Sequence, residues 1–446
     1  MPTLCTAIGK GLIVIAVCGS GAMKADMLTL AEAVQNAEAN NRAILAAKLE
    51  RSKALNQIQI ARTYRLPVFS VTALGTQSAS ALGLTFPQGS LGVYPGVGPI
   101  PGKTTTLSDP LRPGAILLAS ASQPLSQQRR IGLGIELAHL GVEAAGEQIR
   151  SKRQAAANEV RRLYYGILQT ESGRRSLKEA IAFLAQLDRD TGVNVAQRVA
   201  LRADSLDVKA RLAKAEYALL ELEDPLETQK QQLNVLMGRD PDTAFEVDPL
   251  AAADFTMPEL KEAYARALES RPEIRLARLQ VRKAGLERRI RNAERIPDVS
   301  LSLTTLATAN LISVLPNRLA IAGVQLNWDV YDWGRKRRQV DEKRLAEQQA
   351  ELDLKEAVAK VKVDVAHRYR RLAQARKQLE VARLSQSAAG ELLRVTRNRY
   401  DVREVLLSDV LRVQSSVAES DSGFTRALLD VATAQADFEK ALGIEP

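Results

Sequence analysis

Two periods organise this chain. Val299, Leu301 and Leu303 alternate with Ser300, Ser302 and Thr304, and after Pro316-Asn317 the segment Leu319–Trp328 alternates again. A period of two places one apolar and one polar row on opposite faces of a strand, so these segments predict a hairpin with a short polar turn. Val68–Ser78 and Ala115–Pro124 read as a second strand pair, separated by a Gly/Pro-rich loop over Leu82–Pro113. The rest is helical in pattern. A helix of about 35 residues is expected from Leu28 to Leu66, and another from Pro258 to Ile296. Pro67 and Pro297 end them, because proline restricts the residue before it and supplies no donor.

Two much longer helices follow the strands, roughly over 129–190 and 336–399, and neither contains a proline. At 1.5 Å per residue each would run about 90–100 Å. Val358, Val365, Leu372 and Leu379 recur every seven residues, with Leu393 and Tyr400 in register. Val142, Ile149, Ala156, Leu163, Leu177 and Leu184 do the same earlier, and Leu345, Leu352, Ala359, Ala366 and Ala373 form a second stripe. Sustained heptads imply coiled-coil packing, and the alanines allow close approach. Turns near 191–200 and 400–406 return the chain as antiparallel helices ending at Gly238 and Gly443, suitable C-terminal caps.

The order of elements is written twice. Displaced by 230 positions, Leu30-Ala-Glu-Ala33 falls on Leu260-Lys-Glu-Ala263, Ile44 on Ile274, Lys53-Ala54 on Lys283-Ala284 and Pro67 on Pro297. Of the 41 positions from 30 to 70, 13 match without a gap. Later the displacement is 205, pairing Asp204 with Asp409, Leu206 with Leu411, and Gly238-Arg-Asp-Pro241 with Gly443-Ile-Glu-Pro446. The first half therefore carries about 25 extra residues between Pro67 and Arg129. The repeats are assigned to 26–241 (helix, hairpin 67–124, helical hairpin 129–238) and 258–446 (helix, hairpin 297–329, helical hairpin 335–443).

Residues 1–25 read as an export signal. Lys10 is the positive end, Leu12–Val17 the apolar run, and Ser20-Gly21-Ala22 a small-x-small cleavage site, with Ala25 an alternative. Cys18 leaves lipid attachment open, although Val17 is bulky where a small residue is expected. No later stretch approaches the apolar length of a membrane-spanning helix, about 20 residues, but barrel strands of about 9–11 residues remain compatible with the pattern.

Composition narrows the function. Aromatic residues are only 4% and the formal net charge is +10. Two histidines, His139 and His367, stand apart, and both cysteines, Cys5 and Cys18, lie in the signal. No metal-ligand spacing, catalytic pair or nucleotide-binding loop is present, so neither an enzyme nor a cofactor is expected. Four strands cannot enclose a barrel, which needs at least eight and no free edge. Three chains would supply twelve. Trp328, Tyr331 and Trp333 cluster at the exit of the last strand and Phe69 sits just inside the first, the placement of a membrane-interface belt. A packed strand-to-helix corner would use the same residues.

The repeat, Pro67 and Pro297, the exit run Asp329-Val-Tyr-Asp-Trp-Gly-Arg335, and the turn run Arg399-Tyr-Asp-Val-Arg-Glu-Val-Leu-Leu-Ser-Asp-Val-Leu411 together resemble the TolC-type outer-membrane efflux protein family. The resemblance covers 28–446. It implies a fold that is mainly α with membrane β: long antiparallel coiled-coil hairpins forming an α-barrel, and four strands per chain contributing to a trimeric twelve-stranded β-barrel. It implies an outer-membrane channel of a tripartite efflux or type I secretion system, with a periplasmic helical extension. Its partners would be a periplasmic adaptor (membrane fusion) protein, an inner-membrane pump and outer-membrane lipid.

The same resemblance places the periplasmic entrance at the two helical turns, among Arg198, Arg202, Asp204, Arg397, Arg399, Tyr400, Arg403, Ser408 and Asp409. The sequence departs from the family there. The expected glycine is Arg403, its counterpart is Arg198, and no acidic cluster precedes Tyr400. Either a basic ring disfavours cations, or these are solvated arginines paired with neighbouring acids. Asp204 and Asp409, near the starts of the return helices, read as caps.

Two other classes share some features. A periplasmic adaptor-like coiled-coil envelope protein would also have long hairpins, but one per chain flanked by compact β-domains. A soluble scaffold binding nucleic acid fits the charge, but the basic residues are interleaved with acids along the helices and an export signal removes it from nucleic acid. The transported substrate is not written in the sequence.

Overall fold

The computed structural model describes residues 26–77, 82–109, 113–198, 201–248, 257–309, 317–402 and 404–445. The export signal lies outside these residues, as do residues 310–316, with Pro316 of the expected turn, and Arg403. Contacts divide the chain into two units. One comprises Met1–Asn41, Glu159–Phe255 and Leu379–Thr433; the other comprises Arg42–Asn158, Thr256–Gln378 and Ala434–Pro446.

The elements run β1 (Asp26–Leu28), α1 (Leu30–Asn40), α2 (Arg42–Thr63), β2 (Val68–Gln77), β3 (Leu82–Phe86), β4 (Val93–Tyr94), β5 (Gly98–Pro99), β6 (Thr105–Asp109), β7 (Pro113–Pro124), α3 (Gln128–Ala196), α4 (Arg202–Leu236), β8 (Phe245–Val247), α5 (Leu260–Ser270), α6 (Pro272–Ala293), β9 (Asp298–Ala309), β10 (Arg318–Asn327), α7 (Arg335–Asp401) and α8 (Leu407–Ala441). The fold is mainly helical, with the two long helices and their return helices as the sequence pattern indicated.

Two expectations need correction. The single helix over Leu28–Leu66 is two, broken at Asn41, and that over Pro258–Ile296 is two, broken at Arg271. Both break residues are extended, with ψ of 125° and 130°. At Arg271 the cause is the following Pro272, which excludes the helical conformation before it and starts α6 at its first position. The segment Leu82–Pro113 is not simply a loop. β3 pairs with β6 and β4 with β5, both antiparallel, making a nested hairpin extension.

In the first unit, β1 and β8 form a parallel pair, which the sequence pattern did not reveal. Thr29 starts α1 with a capping box: its hydroxyl accepts from the Glu32 amide, and the Glu32 carboxylate accepts from the Thr29 amide at 3.0 Å. The Tyr164 hydroxyl of α3 sits at the end of this pair, its one proton shared between Leu28 O at 2.9 Å and Asp248 O at 3.0 Å, and it accepts from the Asp248 amide. Burial of this ring, together with Val160, Ile167, Leu233, Met237 and Phe245, forms the core here.

In the second unit, a four-stranded antiparallel sheet has the order β10-β9-β7-β2. α6 is zipped to α3 by Arg282–Glu143 (3.2 Å) and Arg275–Glu147 (3.4 Å), and to α7 by Glu287–Lys343 and Arg288–Glu347. Only Arg282–Glu143 is exposed on both sides, and such a pair contributes little to stability; the other three are partly buried. The predicted heptad positions Ile149, Ala156, Val365 and Leu372 are buried, whereas Leu345, Leu352 and Ala359 of the second stripe are exposed.

Candidate channel surfaces

The sheet has two chemically distinct faces. Cross-strand partners share a face, so the register sorts the residues. One face carries Phe69, Val71 and Ala73 of β2, Leu117, Ala119 and Ala121 of β7, Val299, Leu301 and Leu303 of β9, and Ala322, Val324 and Leu326 of β10. Near the helices the other carries Ser70 and Thr72, Ser120 and Ser122, Ser300, Ser302 and Thr304, and Gln325 and Asn327; toward the far end it turns apolar, with Leu74, Ile116, Leu118, Leu306, Leu319 and Ile321, while Thr305 and Arg318 stand on the first face. Ser70 and Ser120 share a hydrogen bond of 2.8 Å across it. Every residue of β10 is exposed, as are all but one of β2, the two outermost strands. An apolar row opposite a hydroxyl-rich one in the half nearest the helices, on a sheet with two unpaired edges, fits the pattern of a membrane-barrel segment.

The predicted belt residues lie at one end of this sheet, where the strands meet the helices. Phe69 is 75% exposed, Trp328 56%, Tyr331 73% and Trp333 82%. Tyr331 and Trp333 pack edge to face with centroids 5.2 Å apart. The exit motif has a local explanation. Trp333 and Gly334 both have positive φ, 53° and 78°, so the chain reverses there. The Asp332 carboxylate accepts from the Gly334 and Lys336 amides, each at 3.0 Å, and caps the start of α7. Those bonds, that to Lys336 foremost, hold its carboxyl below the usual aspartate range. Asp329 pairs with Arg335 and Lys336. This capping role of Asp332 was missed in the sequence, although an Asp two residues before Gly334 is a signal for it.

The predicted entrance residues lie at the two helical turns of the other unit. Arg198 has a left-handed backbone, φ 60°, where the family pattern expects glycine. Arg198, Arg202 and Arg397 are exposed and make no ion pair with another described residue. Four other described arginines around the turns are engaged. Arg399 pairs with Glu404 at 3.1 Å, Arg394 with Glu391, Arg412 with Asp409, and Arg189 bonds the Gln186 side chain. Tyr400 is partly exposed. Asp409 accepts from the Leu406 amide at 3.2 Å, one arm of a capping box. The side chains of Asp204 and Ser408 lie outside the description. A cleft of about 310 Å³ between α3, α4 and α8 is lined by Phe183, Leu184, Arg211, Leu411, Gln414 and Asp421 among others. His139 and His367 are exposed, and among the described residues no cluster of His, Cys, Asp or Glu has the makings of a metal site. Among the described residues no helix is long and apolar enough to cross a membrane.

Comparison with known proteins follows the same lines. The family model described as "Outer membrane efflux protein" matches residues 33–239 and 263–444. No curated relative matches. Among solved structures, the Campylobacter jejuni CmeC outer membrane channel superposes with a TM-score of 0.75 at 15% identity, covering 93% of this chain and 85% of that one. The Vibrio cholerae outer membrane protein VceC gives 0.72 at 16% identity, covering 93% and 96%. The open state of the Neisseria gonorrhoeae MtrE outer membrane channel gives 0.65 at 19%, covering 93% and 89%. At such identities the likeness is one of fold. The family match spans both halves of the chain and lies over the strands and hairpins described above, so this protein belongs to the outer membrane efflux protein family and is an outer-membrane efflux channel protein.

Proposed function

We propose that three copies of this chain close a twelve-stranded β-barrel in the outer membrane, continued on the periplasmic side by an α-barrel of their helical hairpins. The observation that carries this reading is the sheet: four strands with unpaired edges at β2 and β10, whose half next to the helices has one apolar and one hydroxyl-rich face. In lipid an unpaired edge leaves a row of unsatisfied backbone groups, each costing several kcal/mol, so the edges must meet in a closed ring. The exposed stripe of Leu345, Leu352 and Ala359 on α7 fits packing against a neighbouring copy. Residues 1–25 would be removed on export, leaving two repeats over 26–241 and 258–446. The channel would serve a tripartite efflux or type I secretion system, joined through a periplasmic adaptor to an inner-membrane pump. An adaptor-like envelope protein fits less well, because it has no use for a two-faced sheet with open edges.

In this reading the helical turns form the entrance, and Arg198, Arg202 and Arg397 carry its positive charge, repeated three times around the pore. Such a ring favours anions. Planar-bilayer recording of the purified assembly tests this. Arg198→Glu, Arg202→Glu and Arg397→Glu together should shift the reversal potential toward cations, as should Arg403→Glu. Unchanged reversal potentials in all of them would remove the arginines from the pore.

A further inference from the structure

At the helical end of the sheet all four strands hand over to helices, and that end is ringed with arginine. The register fixes the geometry: Val68 pairs with Ser122, Pro124 with Ser300 and Asp298 with Asn327, so the start of β2, the end of β7, the start of β9 and the end of β10 lie together. The crossing is pinned by Ser126, whose hydroxyl donates to Pro297 O and accepts from the Val299 amide, both at 2.8 Å. The Gln123 side chain donates to Arg65 O at 2.9 Å. Just beyond these strand ends stand Arg62, Arg65, Arg129, Arg295, Arg337 and Arg338. All six are exposed, and none makes an ion pair with a described residue. The Arg65 guanidinium lies against Gly132, 3.4 Å from where a β-carbon would stand, which holds it beside the first turns of α3. Their neighbours Arg130, Arg291 and Arg335 are already matched by Asp298, Glu294 and Asp329. Asp332 and, one turn along α7, Asp341 and Glu342 offset part of this charge, and cations remain in excess at this end. The opposite strand ends carry Arg318 among the described residues.

The same strand ends carry the exposed rings of Phe69, Trp328, Tyr331 and Trp333. Aromatic rings at a strand end mark the headgroup level of a bilayer. A guanidinium at that depth meets lipid phosphate, for which it offers a planar pair of donors. We propose that this collar is a binding surface for anionic phospholipid headgroups of the periplasmic leaflet, selecting them over zwitterionic ones. The inference rests on the reading that the sheet spans the outer membrane. It assigns the six arginines to the lipid side of the barrel and not to its lumen.

The test uses the full-length assembly, purified in detergent and reconstituted into vesicles of phosphatidylethanolamine with a minor fraction of phosphatidylglycerol. Lipid that stays with the protein after re-extraction is quantified. The collar predicts phosphatidylglycerol enriched about threefold over the bulk, falling with added salt. Replacing all six arginines by Gln should abolish the enrichment, whereas Arg198→Gln with Arg202→Gln at the helical turn should leave it intact. Two triple variants, at Arg62, Arg65 and Arg129 and at Arg295, Arg337 and Arg338, should each weaken it if the sixfold variant fails to assemble. Equal lipid composition in wild type and variants would overturn the proposal. So would an altered reversal potential in bilayers with lipid retention unchanged, since the arginines would then line the pore. Tryptophan quenching by brominated lipid separates the two layers of the argument. Quenched Trp328 and Trp333 without enrichment would remove the collar alone; unquenched tryptophans would remove the membrane placement beneath it.

Discussion

A β-carbon on Gly238 would stand 2.7 Å from the carbonyl oxygen of Asn40, and the chain repeats the arrangement: one on Gly443 would stand 2.9 Å from the carbonyl carbon of Ser270. Residues 40 and 270 are 230 apart, and 238 and 443 are 205 apart, the two displacements seen in the sequence. The same end of a return helix thus meets the same end of a short helix twice. Both glycines have left-handed backbones, φ 71° and 75°.

An alanine at either glycine has to adopt a left-handed conformation, costing about 1–2 kcal/mol, and also displace main-chain atoms. Gly238→Ala and Gly443→Ala should each lower the thermal unfolding midpoint of the detergent-extracted protein by roughly 2–4 °C or more. Gly192→Ala is the control, because it lies within α3 with nothing within 4 Å of a new β-carbon. It should be neutral or slightly stabilising. A Gly443→Ala protein as stable as wild type would contradict the close approach.

Tyr164→Phe deletes a buried hydroxyl and takes a partner from the Asp248 carbonyl, while the Asp248 amide keeps its 3.2 Å bond to Leu28 O. The expected loss is about 0.5–1.5 kcal/mol. Burial, foremost, pushes the Tyr164 phenol up to about 12. Ultraviolet titration should therefore show a tyrosine that ionises only near that pH in the wild type and is missing in the variant. The same titration curve for both proteins would refute the assignment.

Asp332 gives a pH dependence with a definite sign. Its carboxyl is held below the usual range by the Lys336 and Gly334 amides. Its contribution is complete above the ordinary aspartate pKa, about 3.9, and is lost as pH falls through the lower folded value. Asp332→Ala should destabilise the protein at neutral pH and flatten the acid limb of the stability curve, read by Trp fluorescence from the adjacent Trp333. An acid limb identical to wild type would show that the cap does not form.

The strands were legible because one face must be apolar, and alternation from Val299 to Thr304 records that demand directly. The long helices were legible because the prolines stand outside them. The break at Arg271 was also written in the sequence, in Pro272, which excludes the helical conformation from the residue before it. Asn41 carries no such mark. Its extended backbone is fixed by a tertiary bond from its side-chain amide to Leu236 O at 3.0 Å, which local pattern does not report. Pairing of β1 with β8 joins segments more than 200 residues apart and was invisible for the same reason. At the helical turns, the sequence offered many arginines. The structure separates Arg198, Arg202 and Arg397 from those engaged by Gln186, Glu391, Glu404 and Asp409.

The central claim is that β2 of one copy meets β10 of the next until three copies close the ring. Cysteine pairs on the hydroxyl-rich face test it directly: Ser70→Cys or Thr72→Cys on β2, each combined with Ile321→Cys, Gly323→Cys or Gln325→Cys on β10. After oxidation in membranes, the account predicts that at least one pair gives cross-linked dimers and trimers on a non-reducing gel, with nothing larger and with no cross-link in either single variant. Monomers alone throughout the scan, or a ladder that continues past three, would contradict it.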